Sequence, residues 1–87
     1  MNSIPEHPTL SRVFRMQWEE AQNNYVLLYP EGMVKLNQSA AEILKRCDGH
    51  RTVADVVREL EETFSVTGLR DEVDDFLCAA AERGWLG

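Results

Sequence analysis

Few residues in this chain have types that could do chemistry. Two cysteines, Cys47 and Cys78, and two histidines, His7 and His50, are the only thiol or imidazole side chains among 87 residues. Zinc requires three or four such ligands gathered at short, regular spacings, and no set of that kind surrounds these four. A cysteine nucleophile needs a partnered base in a cleft. Cys47 instead falls on an apolar helical face, where it reads as a small buried hydrophobe, and Cys78 lies toward the polar flank of a later helix. The acids Asp71, Glu72, Asp74 and Asp75 raise carboxylate catalysis or calcium. They lack the calcium-loop order of acids with an internal glycine and a closing glutamate. They stand where a helix begins, and its dipole favours negative charge there. The five glycines are scattered and build no phosphate loop. The residues point away from an enzyme, and they imply neither a metal nor a cofactor.

The elements that position these residues centre on Tyr25 to Gly49. Tyr25 to Tyr29 is apolar throughout and reads as a central strand. Pro30-Glu31-Gly32 is a turn, with proline setting its own φ and glycine a permissive backbone. Met33 to Leu36 is a third, very short strand. Before them, Phe14, Met16 and Trp18 alternate with Arg15 and Gln17 over Val13 to Trp18, the period-two pattern of a half-buried strand. The polar stretch Glu19 to Asn24 connects it to the central strand. The spacing predicts an antiparallel meander of three strands.

Asn37 or Ser39 caps the first helix, and Ser39-Ala40-Ala41-Glu42 matches a capping box. Ala40, Ile43, Leu44 and Cys47 share its apolar face, and Gly49 supplies a left-handed stop. Thr52 opens the second helix, whose apolar face is Val53, Val56, Val57, Leu60 and Phe64. The third helix runs from about Arg70 to Arg83, with Leu69, Val73, Phe76, Leu77 and Ala80 inward. Gly84 ends it and Trp85-Leu86 folds back as an apolar anchor. Residues 1–11, with Ile4-Pro5 and His7-Pro8, read as a mobile or loosely docked arm that Ile4 and Leu10 can pin, and residues 12–87 as one domain. The fold class is α+β and winged-helix-like, with a three-stranded antiparallel N-terminal sheet followed by a three-helix bundle.

A domain of this length buries a thin core, which favours an open face or groove over an enclosed metabolite pocket. The formal net charge is −6, with nine basic and fifteen acidic residues. That balance argues against a nucleic-acid partner, which is held through clustered lysines and arginines. A winged-helix DNA-binding regulator is the alternative reading. Its recognition helix, however, would carry Asp71, Glu72, Asp74, Asp75 and Glu82 against only Arg70 and Arg83. No apolar run is long enough to span a membrane. The first ten residues lack the apolar segment of a secretory signal, so the expected compartment is the cytoplasm with reduced thiols.

Peptide recognition remains. A short strand at a sheet edge exposes unpaired backbone groups. An extended peptide can pair with Met33 to Leu36 while the third helix forms the other wall of a groove. The same edge invites self-association, by strand pairing or hairpin exchange between chains.

Several segments carry a family resemblance from about Ser11 onward. They are Arg15-Met16-Gln17-Trp18-Glu19, Leu27-Leu28-Tyr29-Pro30-Glu31-Gly32, Leu36 to Leu44, Cys47-Asp48-Gly49, Phe76-Leu77 and Gly84-Trp85-Leu86. In these the chain resembles the PqqD family, the peptide chaperones of pyrroloquinoline quinone (PQQ) biosynthesis. They are the founding type of the recognition element found in many ribosomal-peptide modification systems. The resemblance implies a non-catalytic protein that binds the precursor peptide and presents it to a radical S-adenosylmethionine enzyme, which joins a Glu and a Tyr of that peptide. It further implies that the peptide adds as a strand beside the third strand and against the third helix. Here that groove is Met33, Val34, Lys35, Leu36 and Asn37 facing Val73, Phe76, Leu77 and Ala80. Lys35, the one basic residue on this edge, is expected to hold acidic groups of the peptide.

Overall fold

A computed structural model describes residues 4–87. Three strands come first, β1 (Arg15–Glu19), β2 (Asn24–Tyr29) and β3 (Gly32–Lys35), followed by helices α1 (Gln38–Lys45), α2 (Val53–Phe64) and α3 (Arg70–Glu82). The sheet is antiparallel in the order β1-β2-β3, so the expected meander and the winged-helix-like α+β class are both observed. Register places Met16 opposite Leu27 and Leu27 opposite Val34, with Leu28 between Arg15 and Met33. Because side chains alternate, Met16, Trp18, Tyr25, Leu27, Val34 and Leu36 share the face toward the helices. Arg15, Gln17, Leu28, Met33 and Lys35 share the outer face.

The turns follow local chemistry. A single 3-10 turn, Glu20–Gln22, joins β1 to β2 and ends at Asn23 with φ 51°, a conformation asparagine tolerates better than most side chains. Two residues, Pro30 and Glu31, join β2 to β3 with no positive φ in the turn. Gly32 does not use its conformational freedom for a positive φ. A Cβ there would stand 3.4 Å from the Tyr29 hydroxyl, at van der Waals contact with that ring.

Asn37 caps α1, its Oδ1 accepting from the Ala40 amide at 2.8 Å. Ser39 lies inside the helix, and Glu42 accepts from Lys45 and Arg46 at 3.2 and 2.9 Å instead of closing a box with Ser39. Thr52 does cap α2. Its hydroxyl and the Asp55 carboxylate exchange two bonds of 3.1 Å with each other's backbone amides. At the end of α3 the Gly84 amide donates to Ala81 and the Trp85 amide to Ala80, at 3.1 and 2.9 Å. With Gly84 at φ 77° this is a Schellman stop, and it turns Trp85 back onto the body.

The core gathers Leu27 and Leu36 from the sheet region, Ala41, Ile43, Leu44 and Cys47 around α1, Val56 and Leu60 from α2, and Val73 and Leu77 from α3. Two expected core residues are not in it. Trp18 is 46% exposed and lies edge-on to Tyr25, and Phe64 is 42% exposed at the end of α2. Both stand at the limit of their elements, where the apolar face runs past its partner.

Where the sequence predicts a loose arm, residues 8–11 are tied down. Pro8 is buried and its carbonyl accepts from Gly49, Thr9 bridges Asp48, Leu10 bridges Leu86, and the Ser11 amide donates to Trp85 at 2.7 Å. Ile4 packs against the core. Met1 to Ser3 of the expected arm lie outside the described residues.

Candidate functional site

The residues singled out for chemistry do not converge. Cys47 is buried, its Sγ donating to the Ile43 carbonyl at 3.3 Å, while Cys78, His7 and His50 are exposed. Burial pushes the Cys47 thiol from 9.0 up to about 11, and the nearby Asp48 charge adds to the effect. Asp48 uses Oδ1 to accept from the His50 and Arg51 amides. Those two backbone bonds are the main reason its carboxyl sits below the usual range. Cys47-Asp48-Gly49 is thus a turn that pins the N-terminal segment. Among the described residues no three His, Cys, Asp or Glu side chains come together. Asp74 pairs with Arg70 across one helical turn, and Asp71 and Glu72 sit in the first turn of α3.

The concave feature is a groove of about 600 Å³ between β3 and α3. Val34, Lys35, Leu36 and Asn37 form one side and Phe76 and Arg83 the other, with Phe14, Tyr29, Ala40 and Trp85 completing the lining. Its floor is aromatic. Phe14 lies 5.5 Å from Tyr29 and 6.5 Å from Trp85, and Phe76 lies 6.3 Å from Trp85, ring centre to ring centre. The Arg83 guanidinium stacks 5.6 Å above the Trp85 ring.

Strand register decides which backbone groups face outward. The Leu36 amide donates to the Tyr25 carbonyl at 2.9 Å. In an antiparallel ladder this makes Leu36, Val34 and Gly32 the residues bonded to β2. The amides and carbonyls of Met33 and Lys35 then point away from β2, and among the described residues no further strand pairs with that edge.

The charges are also sorted. Lys45, Arg46, Arg51, Arg58 and Arg70 each make an ion pair, whereas Arg12, Arg15, Lys35 and Arg83 make none among the described residues. Two of those four, Arg83 and Lys35, stand at the groove, Arg83 on its α3 side and Lys35 at its rim, where the side chain leaves from the outer face of β3, and the lining contains no carboxylate.

Of the nine residues predicted for the site, Val34, Lys35, Leu36, Asn37 and Phe76 meet at this groove. Met33 lies on the outer face of β3 and contributes its backbone edge. Val73 faces a neighbouring cavity instead. Leu77 and Ala80 are both 0% exposed and belong to the core beneath. Sequence reasoning missed Phe14, Tyr29, Ala40, Arg83 and Trp85 as lining. A signal was present for Trp85, since Gly84 marks the stop that folds it back.

Fold and groove together define an α+β domain whose short edge strand is left open opposite a helix. The chain belongs to the PqqD family: the family model described as coenzyme PQQ synthesis protein D matches residues 24–86. Among curated relatives, a protein named PqqA binding protein from Azotobacter vinelandii is 53% identical over 87 residues, covering 99% of this chain and 91% of that one. One of the same name from Methylococcus capsulatus is 47% identical over 77 residues, covering 88% and 83%. A solution structure of the PqqD truncation of Methylobacterium extorquens PqqCD, described as a functional, stand-alone recognition element for ribosomally synthesised and modified peptides, superposes with a TM-score of 0.74. It is 29% identical, with 98% of this chain and 93% of that one covered.

Proposed function

We propose that this protein is a non-catalytic peptide chaperone of PQQ biosynthesis that binds the PqqA-like precursor peptide by strand addition to β3. It then presents the peptide to a PqqE-like radical S-adenosylmethionine enzyme. Family membership supports the pathway, and the names of the relatives support PqqA as the ligand. The observation that carries the mode of binding is the open edge of β3, with Met33 and Lys35 facing outward beside an aromatic groove that holds two cations and no carboxylate. Backbone pairing tolerates changes in peptide sequence, while apolar contacts with Phe76 and Trp85 set the register. Lys35 and Arg83 favour a segment rich in acidic groups. Holding the peptide extended while the enzyme docks raises its effective concentration at the active site. The free thiols of Cys47 and Cys78 support a cytoplasmic location. The DNA-binding alternative gains no support, since Asp71, Glu72, Asp75 and Glu82 on α3 are exposed and would face phosphates.

Amide hydrogen exchange tests the proposal. In the free protein the Met33 and Lys35 amides should exchange quickly and those of Val34 and Leu36 slowly. Saturating precursor peptide should slow Met33 and Lys35 selectively. Unchanged exchange at these two amides in the saturated complex would rule out strand addition at β3.

A further inference from the structure

A second cavity, of about 230 Å³, lies beyond the end of the groove, between the start of α1 and the connection from α2 to α3. Phe64, Val66, Leu69 and Val73 line it, with Ser39 and Glu72 at α1 and α3. Phe64 and Val66 are each 42% exposed, two of the few large apolar side chains left in water. The pocket wall is held in place, because the Glu61 carboxylate accepts from the Leu69 amide at 3.1 Å.

The two cavities have no lining residue in common, but both draw on α1 and α3. From the N-cap to the C-cap of α3, Leu69, Glu72, Val73 and Phe76 follow at three- and four-residue spacing and Arg83 stands two turns further on, so they form one stripe. Its first part lines this pocket and its second part the groove. At α1, Asn37 lines the groove while Gln38 and Ser39 line the pocket. The chain of β3 itself runs toward the pocket, through Leu36 and Asn37 into α1. A strand on its open edge spans about 13 Å alongside the four residues of β3. Past Asn37 the next two residues, Gln38 and Ser39, already line the pocket.

Charge changes sign along this line. The groove presents Lys35 and Arg83, whereas the pocket presents Glu42 and Glu72 and no cation. Glu42 is already engaged by Lys45 and Arg46, while Glu72 has no ion pair among the described residues. We infer that the strand-bound precursor peptide continues into this pocket, seating a large apolar side chain against Phe64 and Val66 with a basic residue beside Glu72. The occupied channel then takes a segment that is acidic near Arg83 and apolar, then basic, near Phe64. This inference rests on strand addition at β3.

Calorimetric titration of the full chain, with amide spectra recorded in parallel, tests it. The probes are the full precursor peptide and versions trimmed from either end. Phe64→Ser/Val66→Ser, at exposed positions, should bind the full peptide five- to tenfold more weakly. One trimmed peptide should bind this variant and the parent equally. Glu72→Lys, which leaves the apolar wall intact, should weaken the full peptide about threefold, and more at low salt. It carries the test alone if the double variant does not fold. Unchanged affinity in the folded variants, with Met33 and Lys35 amides still shifting, would leave strand addition standing and overturn the pocket. Motionless Met33 and Lys35 amides in the saturated parent would overturn both.

Discussion

At the scale of single residues, the proposed mode of binding makes Lys35 the side chain whose charge should matter most. It lines the groove, has no ion pair, and sits in a chain of net charge −6. Lys35→Glu should lower precursor-peptide affinity roughly three- to tenfold, as expected for reversing one exposed charge contact, and calorimetry would show it. Equal affinities for the two proteins would remove Lys35 from the site. Cys47 has the opposite character. Its folded thiol holds its proton up to about 11, against 9.0 ordinarily. The unfolded chain therefore loses this proton first as pH rises. The stability it contributes is fully present below pH 9.0 and declines by on the order of 2 kcal/mol by pH 11. Alkaline denaturation should show that decline, and Cys47→Ala should flatten it. A thiol reagent at pH 8 should modify Cys78 quickly and Cys47 only on unfolding. These roles were partly legible beforehand. The apolar spacing of Ala40, Ile43, Leu44 and Cys47 placed the cysteine inside, while nothing local showed that Arg83 would stack on Trp85.

At the scale of elements, the proposed binding rests on β3, the shortest of the three strands. Its inner partners Val34 and Leu36 tie it to β2 and the core, and its outer backbone groups at Met33 and Lys35 are left over. Proline is tolerated on an edge strand where its missing N–H would have faced solvent. Met33→Pro should accordingly keep the fold while losing one peptide hydrogen bond, worth about 1 kcal/mol, so affinity should fall roughly five- to tenfold. Val34→Pro removes a ladder bond to β2 and should unfold the hairpin, which circular dichroism would separate from the first case. The capping of α1 shows where local pattern misled. Ser39 with Glu42 fits a capping box as well as Thr52 with Asp55 does, yet only the second pair forms one. Asn37 stands two residues earlier, so its carboxamide reaches the Ala40 amide first, and Glu42 is drawn to Lys45 and Arg46.

At the scale of the whole molecule, the proposed strand addition would put two partners in competition for the open edge of β3, the peptide and a second copy of the chain. Any dimer built by strand pairing should dissociate when precursor peptide is added in excess, because both need the Met33 and Lys35 backbone. Sedimentation velocity with and without peptide measures this, and a dimer indifferent to peptide would place self-association elsewhere. The order of strands and helices, the helix faces and the acidic balance were all legible in the sequence, because alternation, helical periodicity, caps and charge are properties of neighbouring residues. Tertiary structure alone decided that Phe14, Tyr29, Phe76 and Trp85 share one floor, since they come from β1's approach, β2, α3 and the C-terminal return. It also decided that Leu77 and Ala80 lie beneath the groove, outside its lining, and that residues 8–11 are clamped by Gly49 and Trp85. Periodicity tells which side chains turn from water. Only the packing of distant segments tells which of them are covered and which are left to meet a partner.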